Sequence, residues 1–241
     1  MIPNQTSTEE EILSIFHSHA DHDTPLVMTK SYHGVILSQE IRTIAVDQHQ
    51  AVFQALDSGC CAAIEGCVHL HCYFLTKPVK ARVRDLSYRR GMFSLSDFSY
   101  IEGSWQERLH ERVEPKQPTY VSLRYRKMGF RASMLDLSIN GMGVLICKAE
   151  NPELEFKANT SVCIDFQTSP EYRWLKLGGA IHYQKMLSRS IARLGIRLYP
   201  KLEQARLLER YIQSRQKEIL DELAAASILA KYSSGVEYQY F

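Results

Sequence analysis

Residues 192–212 read ARLGIRLYPKLEQARLLERYI, a stretch in which a strand pattern and a helix pattern meet at Pro200. Before the proline, apolar and polar residues alternate, which is the period of a strand with one buried face. After it, residues rich in Leu, Ala, Glu, Gln and Arg continue without Gly or Pro, which predicts a long helix from Lys201 to about Tyr232. This part of the chain therefore predicts a β domain whose last strand leads into a long helix.

Further strands with the same two-residue period precede this stretch. Apolar residues share one strand face in three segments, which are Val121, Leu123 and Tyr125; Val162, Ile164 and Phe166; and Ala192, Leu194, Ile196 and Leu198. Gly and Asn turns separate the strands and no helical pattern lies between them, which favours an antiparallel barrel over a parallel sheet. We predict that residues 105–212 hold this barrel and that residues 213–241 hold the rest of the helix and a tail.

The N-terminal part has a different pattern. A short helix is predicted at residues 8–17, with Thr8 as its cap, and β-branched and aromatic runs from about residue 25 to 104 predict a smaller β-rich domain. The polar segment 103–118, GSWQERLHERVEPKQP, reads as an extended connector. We therefore place a domain boundary near residue 104, with residues 1–104 as the N-terminal domain.

The composition excludes several classes of protein. The 29 basic and 27 acidic residues leave a net charge of +2, which argues against a nucleic-acid-binding surface. No apolar run approaches the roughly 20 residues that a spanning helix needs, so we expect a cytoplasmic protein without membrane insertion. The six cysteines have no paired CxxC spacing, and we expect them to be buried apolar side chains rather than metal ligands or disulfides.

Two short motifs carry the chemistry. RLHER places Arg108 and Arg112 four residues apart in the connector, and DLSING places Asp136, Ser138 and Gly141 at a tight turn. Guanidinium groups are planar forks that match phosphates or the Hoogsteen edge of guanine. A carboxylate can accept from the guanine ring N–H and amine, and a glycine lets the backbone approach a ligand. The motifs together suit a guanine dinucleotide.

In the order and spacing of these motifs, the chain resembles the PilZ family of cyclic di-GMP receptors, whose signature is RxxxR followed by (D/N)xSxxG. The resemblance runs from about Gln106 to Ile212 and implies a six-stranded antiparallel barrel, no catalysis and no cofactor. It also implies a receptor that changes its domain arrangement or surface for an unidentified protein partner, with a motility, biofilm or virulence output. The implied ligand-binding residues are Arg108, Arg112, Asp136, Ser138, Asn140, Gly141 and Gly143.

The chain departs from the family pattern at Glu107 and Glu111, where many members carry a basic residue and an aromatic or proline. Acids at these places would pair with the arginines or repel a phosphate. The alternative function is therefore a degenerate PilZ protein that acts as a protein-interaction module without a nucleotide.

The two-domain layout is similar to that of flagellar-brake receptors. RDLSYRRGM at residues 84–92 echoes LDLSINGMG at residues 135–143, which suggests that the N-terminal domain is a related barrel without a ligand site. Chance similarity between two β-turns explains the echo equally well. The echo therefore leaves the relation between the two domains open.

Three further patterns leave alternatives open. HSHADH at residues 17–22 spells a metal-dependent hydrolase motif, and Cys67, His69 and His71 share a strand face that could hold zinc, although neither context favours a metal. A basic and aromatic face could instead bind nucleic acid through Tyr120, Arg124, Tyr125, Arg126, Lys127 and Arg131. The apolar stripe of the long helix, interrupted by Arg215, fits either packing within the chain or a homodimer.

Overall fold

The computed structural model describes residues 5–20, 24–56, 63–101, 111–126, 128–148, 155–168 and 174–233. Contacts divide the chain into two compact units, one of Met1–Tyr32, Ile36–Glu107 and Leu220–Phe241, and one of His33–Val35 and Arg108–Ile219. The regular elements are α1 (Gln5–Ala20), β1 (Leu26–Tyr32), β2 (Val35–Val46), β3 (Ala51–Ala55), β4 (Cys67–His71), β5 (Val79–Ser87), β6 (Met92–Tyr100), β7 (Tyr120–Tyr125), β8 (Met128–Ser138), β9 (Gly141–Cys147), β10 (Thr160–Phe166), β11 (Leu175–Met186), β12 (Ile191–Tyr199) and α2 (Leu202–Ser233).

The first unit contains a closed barrel with the strand order β1-β2-β3-β6-β5-β4. Helix α1 packs on it through Phe16, whose ring makes edge contacts with Phe53 and Phe98 at centroid distances of 5.6 and 5.5 Å. The backbone amide of Phe98 also donates to the Glu9 carboxylate at 3.1 Å. The helix begins at Gln5 rather than at the predicted cap Thr8, because its apolar residues are held by the barrel and not by a cap alone.

The second unit contains a closed barrel with the order β7-β8-β9-β12-β11-β10, followed by the part of α2 up to Ile219. The alternating residues of the three predicted strands lie in its core, from Val121 and Ile164 at 0 % exposure to Val162 at 5 %, with Tyr125 partly buried at the strand end. The predicted six-stranded antiparallel barrel and long C-terminal helix are thus confirmed.

Both barrels follow the same path, since each has its third strand beside its sixth. The two domains therefore share one topology, a relation that the sequence left open. The sequence echo, however, falls on different strands: Asp85 lies on β5, the fifth strand of its barrel, whereas Asp136 lies on β8, the second. The repeated DLS is a β-turn similarity and marks no second copy of the ligand motif.

Helix α2 buries Leu208, Ile212, Ile219 and Leu223, as its apolar period predicts, but Arg215 is also buried, at 5 % exposure. The Arg215 side chain does not interrupt the packed stripe, because its polar atoms have partners. Its Nε donates to the backbone carbonyl of Glu114 and its Nη1 to the Glu218 carboxylate, both at 3.1 Å. The helix is thereby attached to the connector.

The expectation that the cysteines are buried is wrong for Cys67 and Cys147, while Cys72 and Cys163 are partly buried and Cys60 and Cys61 lie outside the described residues. Cys67 and Cys147 are exposed, because they begin β4 and end β9, where the barrel core no longer covers a side chain. His17 lies on α1, whereas Asp21 and His22 lie outside the described residues. Within the described ranges, no group of three His, Cys, Asp or Glu residues could hold a metal ion. None of the helices described is long and apolar enough to cross a membrane.

The histidines of β4 predict a pH dependence for the first barrel. Burial lowers the pKa of His69 and His71, with Lys80 adding to the effect at His69. The unfolded chain, with a histidine pKa of about 6.5, then takes up protons before the folded chain does, so the free energy of unfolding decreases as the pH falls below that value. Thermal unfolding from neutral to mildly acidic pH measures this loss.

The double variant His69→Gln/His71→Gln should show a weaker pH dependence than the parent over that range. The matched control is His182→Gln, which removes an exposed histidine from β11. An unchanged slope in the double variant would contradict the assignment.

Candidate ligand site on the second barrel

A short backbone bridge brings the two sequence motifs together. Val113, one residue after RLHER, exchanges two backbone hydrogen bonds with Leu137 of β8, each 2.9 Å long. Both side chains are fully buried, so the connector is attached to the barrel as a short extra strand. Antiparallel pairing then places Arg112 opposite Ser138, and Asp136 lies two residues before Ser138 on the same strand face, so the Arg112 side chain reaches the Asp136 carboxylate diagonally.

The centre of the site is a carboxylate held between two guanidinium groups. Arg112 Nη1 donates to Asp136 Oδ1 at 2.8 Å, and Arg193 Nη2 donates to Asp136 Oδ2 at 2.9 Å. The Asp136 side chain is 13 % exposed, whereas the two arginine side chains are 32 % and 36 % exposed. Asp136 therefore lies beneath two arginines that remain accessible to solvent. Its two ion pairs are stronger than ion pairs between fully exposed side chains.

Two glycines make room for this cluster. Asp136, Gly143 and Gly195 lie side by side on β8, β9 and β12. A Cβ on Gly143 would lie 2.6 Å from Asp136 Oδ2, so the carboxylate occupies the space of a side chain. A Cβ on Gly195 would overlap the ring of Tyr183, which covers this glycine from β11. Gly143 thus leaves room for the Asp136 carboxylate, and Gly195 leaves room for the Tyr183 ring.

The DLSING turn is closed by its own polar groups. Ser138, at 3 % exposure, donates its hydroxyl to the Gly141 carbonyl at 3.1 Å. The Asn140 carbonyl accepts from the amide of Leu198 on β12 at 3.0 Å. A Cβ on Gly141 would lie 3.8 Å from Arg112 Nη2, so this arginine crosses directly over the turn backbone.

A cavity of about 450 Å³ lies next to the cluster. Its wall consists of Glu114, Pro115, Lys116, Gln117, Pro118, Met134, Leu135, Asp136 and Arg193. The connector thus forms one side and the end of β8 the other. Pockets of roughly 300–1,000 Å³ are typical for small-molecule ligands.

The structure brings together most of the predicted site residues and adds one. Arg112 binds Asp136 and passes close to Gly141, and Gly143 leaves room for the carboxylate. Arg108, together with Glu107, lies outside the described residues. Arg193 was not predicted, because the period of β12 shows that it faces away from the core but not which strand lies beside it.

The acidic departure at Glu111 has its own partner. This exposed side chain accepts a hydrogen bond from Gln216 of α2. Among the described contacts, Glu111 makes none with Arg112. Arg112 pairs with Asp136 of the barrel and not with the neighbouring acid Glu111.

The alternative basic and aromatic face is partly used within the barrel. The Arg131 guanidinium stacks on the Tyr120 ring at 3.7 Å from the centroid, and Arg124 Nη2 donates to Asp165 at 2.7 Å. Arg126 lies 5.0 Å from the centroid of Tyr125. Lys127 lies outside the described residues. These contacts support the barrel surface and leave less of this face for an extended nucleic-acid strand.

No protein-family model matches the sequence, and no curated protein matches it in sequence. Solved structures do match. The complex of K. pneumonia MrkH with c-di-GMP is 13 % identical, covering 90 % of this chain and 97 % of that one with a TM-score of 0.45. YcgR from Escherichia coli with c-di-GMP is 15 % identical, covering 88 % and 92 %, with a TM-score of 0.44.

The PilZ domain of YcgR from Escherichia coli with c-di-GMP is 21 % identical, covering 48 % of this chain and 97 % of that one, with a TM-score of 0.40. The family that the RLHER and DLSING motifs resemble is thus named among the matching structures. The likeness concerns the fold, and the ligand proposed below is argued from the residues of this chain.

Proposed function

We propose that the second barrel binds cyclic di-GMP and that the protein is a receptor without chemistry of its own. The observation that carries this proposal is the cluster in which Arg112 and Arg193, far apart in sequence, both bind the Asp136 carboxylate beside a cavity. Two half-exposed guanidinium groups fixed in this way can donate to phosphates or to the Hoogsteen edge of guanine. Their charge and geometry suit a guanine dinucleotide with two phosphodiesters.

Local charge supports an anionic ligand, although the whole chain is nearly neutral. Arg193 and Lys116 line the cavity together with Asp136 and Glu114, and Arg112, which is bound to Asp136, adds a third positive charge next to it. Arg108 of the connector adds a further positive charge in this proposal. In addition, Arg193 Nε is buried and has no hydrogen-bond partner within the described ranges, so it is a donor that a ligand could satisfy.

Asp136 has a positioning role in this proposal. Both of its oxygens already accept from arginines, so its main effect is to hold the two guanidinium groups before the ligand arrives. Preorganised donors need less ordering on binding, which raises affinity without a new contact. The Ser138 hydroxyl and the Asn140 carbonyl likewise shape the turn, and Gly141 and Gly143 let the ligand and the carboxylate approach the backbone.

The connector links the arginine cluster to helix α2. Arg112 is followed by Val113, which is paired with β8, and by Glu114, whose carbonyl accepts from the buried Arg215 of α2. A ligand that moves Arg112 would therefore act on a segment that α2 also holds. We infer that binding changes the surface or domain arrangement that an unidentified protein partner reads, in the cytoplasm, with motility or biofilm among the outputs.

Titration of the full chain with cyclic di-GMP by calorimetry tests the function. Arg193→Ala should weaken binding by roughly ten-fold or more, since a hydrogen bond to a charged group contributes about 1.5–3 kcal/mol. Arg197→Ala is the matched control, because it removes an exposed arginine from the same strand, and it should bind like the parent. Equal affinities for the two variants would contradict the role of Arg193.

One observation favours a second candidate, a degenerate PilZ protein that binds a protein partner and no nucleotide. The carboxylate of Asp136 and the hydroxyl of Ser138 are already engaged within the barrel, so the cluster is also stable as a purely structural feature. The same titration separates the two candidates. Absence of binding by a folded parent protein would leave only the second.

A further inference from the structure

The β11–β12 hairpin concentrates positive charge that the whole-chain balance hides. Residues 174–202 contain six Lys or Arg residues and no Asp or Glu, whereas the entire chain has 29 basic and 27 acidic residues. The six are Lys176, Lys185, Arg189, Arg193, Arg197 and Lys201. The hairpin is therefore a basic element on a nearly neutral protein, and it attracts anions locally.

Three aliphatic side chains are exposed at the end of this hairpin. Met186, Leu187 and Ile191, which we call the apolar tip, are 45 %, 54 % and 41 % exposed. The turn that carries them is ordered by hydrogen bonds. The Leu187 amide donates to the Ile191 carbonyl at 2.9 Å, and Ser188 Oγ accepts from the Ile191 amide at 3.2 Å. The apolar tip is thus held outward by a defined turn.

Basic residues surround the apolar tip. Lys185 and Arg189 are exposed and lie next to it in sequence, and the amide of Lys148 donates to the Ser190 carbonyl at 2.7 Å, which brings a third basic residue to the turn. Two described acids face the hairpin, Asp136 bound to Arg193 and Asp165 opposite Lys176, and both of these partners lie outside the turn residues 187–191. The surface is an aliphatic centre with a cationic rim.

We propose that the apolar tip and its basic rim bind an anionic lipid surface. Aliphatic side chains gain free energy in the boundary between headgroups and acyl chains, while neighbouring Lys and Arg residues remain among the anionic headgroups. The contact is shallow and needs no spanning segment. Nucleic acid fits less well, because Met, Leu and Ile offer no ring on which a base can stack.

Sedimentation of the full-length protein with vesicles tests this proposal. Binding is expected to vesicles of equal parts phosphatidylcholine and phosphatidylglycerol, and much less to phosphatidylcholine alone. Lys185→Glu/Arg189→Glu should reduce partitioning by at least about 20-fold, since each basic residue near an anionic membrane contributes about five-fold. Leu187→Asp should also reduce it, because the charge prevents contact with the acyl boundary. The control is Met128→Asp, an equally exposed apolar residue on β8 of the same barrel, which should bind like the parent.

The turn residues are exposed, so both variants should keep the thermal unfolding temperature of the parent, and a calorimetric scan checks this. Vesicle binding that Leu187→Asp leaves unchanged would overturn the proposal, as would absence of binding to the anionic vesicles. Binding of a single-stranded oligonucleotide that depends on Lys185 and Arg189 but not on Leu187 would assign the hairpin to nucleic acid instead. The outcome does not depend on cyclic di-GMP, because the apolar tip makes no use of Asp136.

Discussion

Replacing Gly143 with alanine is expected to weaken cyclic di-GMP binding by about 100-fold or more. The added Cβ would lie 2.6 Å from Asp136 Oδ2 and 3.0 Å from its Cγ, so the carboxylate must rotate away. Because both Arg112 and Arg193 bind this one carboxylate, both pairs are lost together, at about 1.5–3 kcal/mol for each charged hydrogen bond. Calorimetric titration measures the affinity.

The same variant should also unfold at a lower temperature than the parent, since two partly buried arginines lose their partner. Gly178→Ala is the matched control, because a Cβ there would meet no atom within 4 Å, and it should keep both affinity and stability. If Gly143→Ala binds cyclic di-GMP like the parent, the Asp136 carboxylate and its two arginines are not part of the ligand site. If it loses binding while Gly178→Ala does not, this cluster is needed for binding.

Replacing Arg112 with alanine is expected to weaken cyclic di-GMP binding by roughly 10- to 100-fold, because this guanidinium both pairs with Asp136 and crosses the Gly141 backbone. Arg193 still pairs with the carboxylate in this variant, so the barrel should remain folded. Titration calorimetry gives the affinity, and thermal unfolding shows whether the fold persists.

Arg124→Ala is the control for loss of a surface arginine from the same barrel, since Arg124 pairs with Asp165 away from the cavity. In the parent protein, saturating cyclic di-GMP should also protect residues 105–115 from proteolysis, and this protection should disappear in Arg112→Ala. Equal binding by both alanine variants would remove Arg112 from the site. Binding without any change in proteolysis would leave the ligand site standing. It would also show that the connector does not transmit the effect of the ligand.

Much of the second barrel could be predicted because its strands have a strict local period. Residues such as Leu123, Ile164 and Leu194 share a face with their neighbours two positions away, and this pattern needs no knowledge of the rest of the fold. The helix that begins at Leu202 was predictable for the same reason, with an interior free of Gly and Pro. Arg215 was misjudged, because a buried arginine depends on partners that come from the distant connector.

The sequence by itself determined the strand and helix periods and the RLHER and DLSING motifs. Only the tertiary structure decided that β12 lies beside β9, which brings Arg193 to Asp136 across 57 positions of sequence. It also decided that the echo at Asp85 falls on a strand unlike that of Asp136. The physical reason is that side-chain period is a local property of the backbone, whereas the order of strands in a closed barrel depends on pairings between distant segments.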